Sequence, residues 1–292
     1  VSAVLTSQET RPPLLQADGV SIQFGGLKAL TDFHLAIRQG DLLGLIGPNG
    51  AGKSTAFNVL TGVYQPTRGE VRVAGQRVNG RKPHQINHLG LARTFQNIRL
   101  FRALTALDNV KVACRAQGAL HPHELGAGTK LRNAITNYRD WWRALLLTPH
   151  FQEEERELTR QAEHLLEVMG LSHRRDEEAR NLPYGEQRRL EIARALGTKP
   201  RVLLLDEPAA GMNTREKADL MVLIRKLRDD FQLGVLVIEH DMKLVMGICE
   251  QITVLDHGET IARGAPAQVR SDRKVIEAYL GDSYLESHGG AA

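Results

Sequence analysis

The sequence predicts an α/β domain, a mostly parallel sheet with helices on both faces. Three observations predict it. Apolar runs short enough for buried strands recur at Leu42 to Ile46, Val202 to Leu205 and Val235 to Ile238. Helix-like stretches separate them. A segment of the form G-x-x-x-x-G-K-[ST], Gly47-Pro48-Asn49-Gly50-Ala51-Gly52-Lys53-Ser54-Thr55, stands between the first run and a helix that begins near Ala56.

The chain has 292 residues and 32.4 kDa, enough for one large α/β domain or two small ones. Hydrophobic residues at 42% and charged ones at 25% are ordinary for a soluble globular protein. The net charge is +4 and the pI about 9.1, but no Lys/Arg block stands out, so nucleic acid is not an expected partner. A mildly basic balance also suits a protein resting against an anionic membrane. Cys114 and Cys249 are far apart and in no metal spacing, so they read as reduced core thiols of a cytosolic protein. No apolar stretch approaches the ~18 residues of a membrane span, and the first residues show no secretory apolar core. At a membrane such a chain would act as a peripheral subunit.

In chain order, residues 1–13 read as a flexible tail ending at Pro12-Pro13. Leu14 to Phe24 is a strand, Gly25-Gly26 a turn, and Ala29 to Ile37 a second strand. Gly40-Asp41 suggests a hairpin-like turn before the strand at Leu42. Phe24 can stack on a base or fill the strand core, and the residues alone leave both open. Gln65 to Gly69 turns into a strand over Glu70 to Val73, Pro83 opens a helix to about Leu89, and another helix runs from about Ala106 to Ala116. Residues 118–152 change character: a His/Gly-rich loop, then Lys130 to Leu147 with both tryptophans, Trp141 and Trp142. Residues 152–169 are helical, with a stripe of Ala162, Leu165, Leu166 and Met169 and a stop at Gly170. A helix follows over Glu186 to Leu196. Then come a buried strand ending at Asp206-Glu207, a helix capped by Thr214 and running to Asp230, and a buried strand over Gly234 to Ile238 ending at Glu239-His240-Asp241. Ile252 to Leu255, Glu259 to Ala262 and a last helix to Leu280 complete the chain.

The chemistry concentrates at the strand ends. Glycines in the 47–52 loop let backbone N–H groups approach a phosphate, and the following helix adds its positive N-terminus. Lys53 can reach the β- and γ-phosphates of a nucleotide, and the Ser54 hydroxyl can ligate Mg²⁺. Asp206 is placed to hold Mg²⁺ through water and Glu207 to polarise an attacking water. His240, at the end of the next strand, can contact a γ-phosphate or be structural, and Gln96 reads as a loop amide.

Gly47 to Thr55, Gln96, Leu182 to Gln187, Asp206-Glu207 and His240 together resemble the ABC-type ATP-binding cassette, over roughly residues 14–265. The run Arg188-Arg189-Leu190-Glu191-Ile192-Ala193-Arg194-Ala195-Leu196 is its most specific segment. The resemblance implies a P-loop NTPase (RecA-like) fold: a mostly parallel core, an antiparallel β subdomain, a helical subdomain near 97–198 with an extra segment near 118–152, and a C-terminal helix and tail over 266–292. It implies ATP and Mg²⁺, with Phe24 stacking on the base, Gln96 sensing Mg²⁺ and a transmembrane partner, Ala209 to Asn213 crossing a dimer interface, and His240 as the switch histidine. Pro183, Tyr184, Gly185 and Glu186 would complete the nucleotide site of a partner cassette.

The finer similarity is to ATP-binding subunits of branched-chain amino-acid importers. It lies in Glu207 to Asn213, Glu239 to Gly247 and Ala278 to Gly281. It implies a second ATPase (copy or paralogue), two permease subunits, an external binding protein, and a place on the cytoplasmic face of the inner membrane. Trp141 and Trp142 would then lie either against the chain's own helices or near the membrane or permease. Two departures stand out. The family's usual Leu-Ser-Gly-Gly-Gln is Leu182-Pro183-Tyr184-Gly185-Glu186 here, and Asn213 sits where Asp is usual. Pro183 offers neither a hydroxyl nor an N–H to a phosphate. ATPases of urea or amide importers, ATPases of lipopolysaccharide exporters and non-transport cassette proteins are the alternatives. A single cassette without a sustained heptad tract argues against the last.

Overall fold

The structure, a computed structural model, describes residues 12–118 and 149–279. Trp141, Trp142, most of the 118–152 segment, residues 1–11 of the tail and Leu280 onward lie outside the described residues. The chain divides into two compact units, one formed by the residues up to Ile98 with those from Pro200 onward, the other by Arg99–Lys199.

The first unit contains two sheets. Its strands are β1 (Leu15–Phe24), β2 (Leu27–Ile37), β3 (Leu42–Ile46), β4 (Arg68–Val73), β5 (Gln76–Arg77), β6 (Leu91–Arg93), β7 (Val202–Asp206), β8 (Gly234–Ile238), β9 (Gln251–Asp256) and β10 (Glu259–Gly264). The larger sheet has six strands in the order β10-β9-β3-β8-β7-β6. All its pairings are parallel except β10 with β9. β3 and β8 are buried along their whole length, which is why their sequences are continuously apolar and do not alternate. The smaller sheet is antiparallel with four strands, β2-β1-β4-β5. On β1, Leu15, Ala17, Val20 and Ile22 turn inward and join Phe33, Phe57, Leu45 and Leu236 in one core.

Several expectations need correction. Gly40-Asp41 is a turn but closes no hairpin: β2 and β3 belong to different sheets, and β3 pairs in parallel with β8 and β9. Asn213, not Thr214, caps the helix Thr214–Asp230. Its Oδ1 accepts from the N–H groups of Arg215 and Glu216 at 3.0 Å each, while Glu216 accepts from Asn213 N. That is a complete capping box, in which Asn competes better than Thr for the position. The helix after Leu182 begins at Tyr184 with Pro183 as N-cap, two residues earlier than Glu186. The strands β5 and β6 and the helix Met242–Ile248 were not foreseen. That last helix lies so close to β3 that a Cβ on Gly44 would fall 2.5 Å from Val245 Cγ1.

The second unit is helical: Ala106–Gly118, Pro149–Val168 and Tyr184–Gly197, with short 3₁₀ turns at Ser172–Arg174 and Ala179–Asn181. Ala162, Leu165, Leu166 and Met169 are buried, as their stripe predicts. Gly170, at φ 69°, ends that helix in the left-handed region, with Leu171 N–H donating to Leu166 O. Asn109, fully buried, accepts from Phe101 N and donates to Phe101 O and Thr105 O, which pins the 101–105 loop. Cys114 and Cys249 are free and buried, and burial raises both thiols, Cys249 to about 12.

Candidate functional site

Four parallel neighbours, β3, β8, β7 and β6, end at one edge of the larger sheet. Their registers keep the ends level: Leu45 pairs with Ile238, and Ile238 with Asp206. The 47–52 loop follows β3, Glu239-His240 follows β8, Glu207 follows β7, and Gln96 lies three residues beyond β6. The carboxyl ends of parallel strands are where such sheets bind ligands.

The loop after β3 is shaped by glycine. A Cβ on Gly47 (φ 154°) would fall 2.1 Å from Leu255 O, and one on Gly52 (φ 101°) 2.7 Å from Ala29 O. Gly52 is the N-cap of the helix Lys53–Leu60 and supplies no side-chain cap; the positive end of a helix favours an anion. Lys53, buried, donates from Nζ to Gly47 O at 2.6 Å and Pro48 O at 2.8 Å, which holds its positive charge against the loop. Gly47, Pro48 and Ala51 are buried, Thr55 is half-buried, and Asn49, Gly50 and Ser54 are exposed. This arrangement fits a polyphosphate: backbone donors, a helix N-terminus and an ammonium group at one loop.

On the neighbouring strand ends of the same sheet, Asp206 is half-buried and its N–H donates to Thr94 Oγ1 at 3.2 Å. Glu207 takes a left-handed φ of 45°, fixed by its N–H donating to Ile238 O at 2.9 Å. Its Oε2 accepts from Gln96 Nε2 at 3.1 Å and lies 3.6 Å from His240 Nδ1. The structure therefore brings Gln96, Glu207 and His240 together. Phe24 is 45% exposed, which removes the core alternative, and its ring meets that of Tyr64 edge-on, centroids 5.2 Å apart.

Three residues of this edge were missed. Glu239 is 1% exposed, and its Oε1 accepts from Ala209 N at 2.9 Å while Oε2 lies 3.8 Å from His240 Nδ1. Burial pushes its carboxyl above the usual glutamate range, against the pull of Ala209 N–H and His240. Thr94 is buried beneath Asp206. Arg93 lies over the rings of Phe57 and Phe95, 4.5 and 4.4 Å from their centroids, and donates to Asn58 and Thr61. A carboxylate directly after five buried apolar residues is the signal that could have singled out Glu239.

Leu182 to Gln187 belong to the second unit. Pro183 offers no side-chain cap, Tyr184 is 45% exposed with its hydroxyl accepting from Arg188 Nη2 at 3.0 Å, and Glu186 accepts from Arg174 Nε at 3.0 Å. Gly185, in the first turn, is half-buried. Behind them, Arg188 and Glu191 form a buried ion pair.

The sequence model of the ABC transporter family matches residues 30–210, and that of the branched-chain amino acid ATP-binding cassette transporters matches residues 259–284. The chain is 44% identical to the high-affinity branched-chain amino acid transport ATP-binding protein BraF of Pseudomonas aeruginosa, over 93% of this chain and 99% of BraF. It is 42% identical to the corresponding protein LivG of Escherichia coli, with the same coverage of 93% and 99%. Among solved structures, the ADP conformation of an ATP-binding cassette of an ABC transporter superimposes with a TM-score of 0.75 at 30% identity, covering 92% of this chain and 99% of that one.

Proposed function

The chain belongs to the ABC transporter family, and from that premise we propose that it is the ATP-hydrolysing subunit of a branched-chain amino-acid importer. The observation that carries this reading is the shared sheet edge, where the 47–52 loop, Gln96, Glu207 and His240 converge. The 44% identity to BraF over nearly the full length of both chains supports the solute class.

In this reading the 47–52 loop, Lys53 and the helix N-terminus hold the phosphates, and Phe24 stacks on the base. Glu207 takes a proton from the attacking water, and its left-handed backbone and the Gln96 amide fix the carboxylate in place. His240 contacts the γ-phosphate. Ser54, Asp206 and Gln96 offer hard oxygen donors that suit Mg²⁺, which when bound neutralises phosphate charge. Among the described residues no group of three or more His, Cys, Asp or Glu could hold a metal ion.

Residues 182–186 would complete the nucleotide site of a second cassette, and residues 99–199 would form the helical subdomain. Among the described residues no helix is long and apolar enough to cross a membrane. Two permease subunits would then provide the path, an external binding protein would deliver the solute, and this chain would sit peripherally on the cytoplasmic face. The test is reconstitution of the chain with two permease subunits and a second cassette. ATP-dependent uptake of leucine, isoleucine or valine, lost in Lys53→Ala, is expected. A complex that hydrolyses ATP but moves only another solute overturns the solute class, and a chain that binds no ATP overturns the whole reading.

A further inference from the structure

Among the described residues the buried charged side chains are Asp41, Lys53, Arg188, Glu191 and Glu239. Glu239 touches two parts of the proposed catalytic edge at once. Its two oxygens point at different elements: Oε1 accepts from Ala209 N at 2.9 Å, two residues past Glu207, and Oε2 lies 3.8 Å from His240 Nδ1. His240 Nδ1 is in turn 3.6 Å from Glu207 Oε2, so the imidazole stands between two carboxylates.

The stretches on either side of Glu239 are also joined elsewhere. Glu207 N donates to Ile238 O at 2.9 Å, and Lys217 Nζ to Asp241 Oδ2 at 2.8 Å. The first joins two backbones and the second two side chains. They do not fix the imidazole, whose side chain is 59% exposed. A neutral acceptor would still satisfy the Ala209 amide, although a carboxylate accepts more strongly. A charge held at 1% exposure is costly, and the imidazole beside it gives that charge a task.

We propose that Glu239 is a positioning residue for the hydrolysis reaction: one oxygen holds the loop that follows Glu207, and the other holds His240 in line with it. The proposal rests on the ATPase reading above. It predicts that the loop and the imidazole depend on different properties of the same side chain, the loop on an acceptor and the imidazole on a negative charge.

Glu239→Gln keeps the acceptor and removes the charge, and Glu239→Ala removes both. The chain, assembled with the second cassette and the permease subunits, is assayed with Mg·ATP for nucleotide affinity, kcat, KM and thermal midpoint. In Ala the midpoint falls, and in Gln it returns to the parent value. In both, kcat falls by about tenfold or more, the scale of a misplaced catalytic group, with ATP affinity within about twofold of the parent because the 47–52 loop is untouched. If Gln restores kcat together with the midpoint, Glu239 is only a structural acceptor and the proposal fails. It fails equally if kcat is unchanged in Ala. A parent complex that neither binds nor hydrolyses ATP overturns the ATPase reading, and this inference with it.

Discussion

Replacing Glu207 with Gln separates the chemistry of the site from its architecture. The side chain is 20% exposed, and its surroundings accept an amide of the same shape: Gln96 Nε2, 3.1 Å away, can donate to the amide oxygen as it does to the carboxylate. The backbone bond to Ile238 O and the left-handed φ do not depend on the side chain. The substitution also removes a negative charge that raises the Glu239 carboxyl, which offsets the weaker contacts that a neutral amide makes with Gln96 and His240. What disappears is the base. General-base catalysis contributes about 10² to 10⁴ in rate, equivalent to about 2.7 to 5.5 kcal/mol of barrier. Phosphate release under saturating Mg·ATP should fall by that factor, while equilibrium ATP binding stays within about threefold and the thermal midpoint does not drop. Turnover within about threefold of the parent would show that Glu207 does not activate the water. A matching loss of ATP binding would show that it serves the ground state instead.

Pro183→Ser supplies the hydroxyl that the 182–186 segment lacks; a hydrogen bond to a charged group contributes roughly 1.5–3 kcal/mol, so nucleotide affinity at the site this segment completes should rise about tenfold, read by ATP titration of the assembled complex. Equal affinities before and after would mean that the helix N-terminus at Tyr184 suffices alone. Asn213→Ala removes the cap of the Thr214–Asp230 helix and should cost about 1 kcal/mol, a melting shift of about 2–4 °C, whereas Asn213→Asp keeps the cap and should melt near the parent. Asp241 is held below the ordinary aspartate range chiefly by the hydrogen bond from Lys217. Its folded value lies under its unfolded one, so its stabilisation is complete above the unfolded value and is lost as pH falls through the folded value. Urea midpoints of parent and Asp241→Asn should therefore differ at neutral pH and converge in acid; a gap that widens on acidification would reverse the assignment.

The buried strands and the glycine loop were legible because their signals are local: continuous apolar runs, and glycines with Lys53 at fixed spacing. Helix Met242–Ile248 was hidden because seven mostly apolar residues after a strand show no usable period, and its placement depends on Gly44 across the sheet. β5 and β6 have two and three residues, too few for a pattern to show. Gly40-Asp41 misled because a turn signal does not reveal which sheet the next strand joins. Glu239 was passed over for a related reason. Its burial, and the fact that Ala209 N–H meets it from a distant part of the chain, exist only once β7 and β8 are paired.

The strand order carries a consequence for synthesis on the ribosome. β3, which leads into the 47–52 loop, has β8 on one side and β9 on the other, and these are among the last strands of the chain. A nascent chain that has already emerged through β7 still presents β3 with both hydrogen-bonding edges open, an invitation to pair with the wrong strand. Only when Val254 has cleared the exit tunnel can Ile46 meet its partner. Stalled chains ending before β8 should therefore fail to protect an ATP analogue from solvent, however long they are held, and should depend on chaperones that shield strand edges.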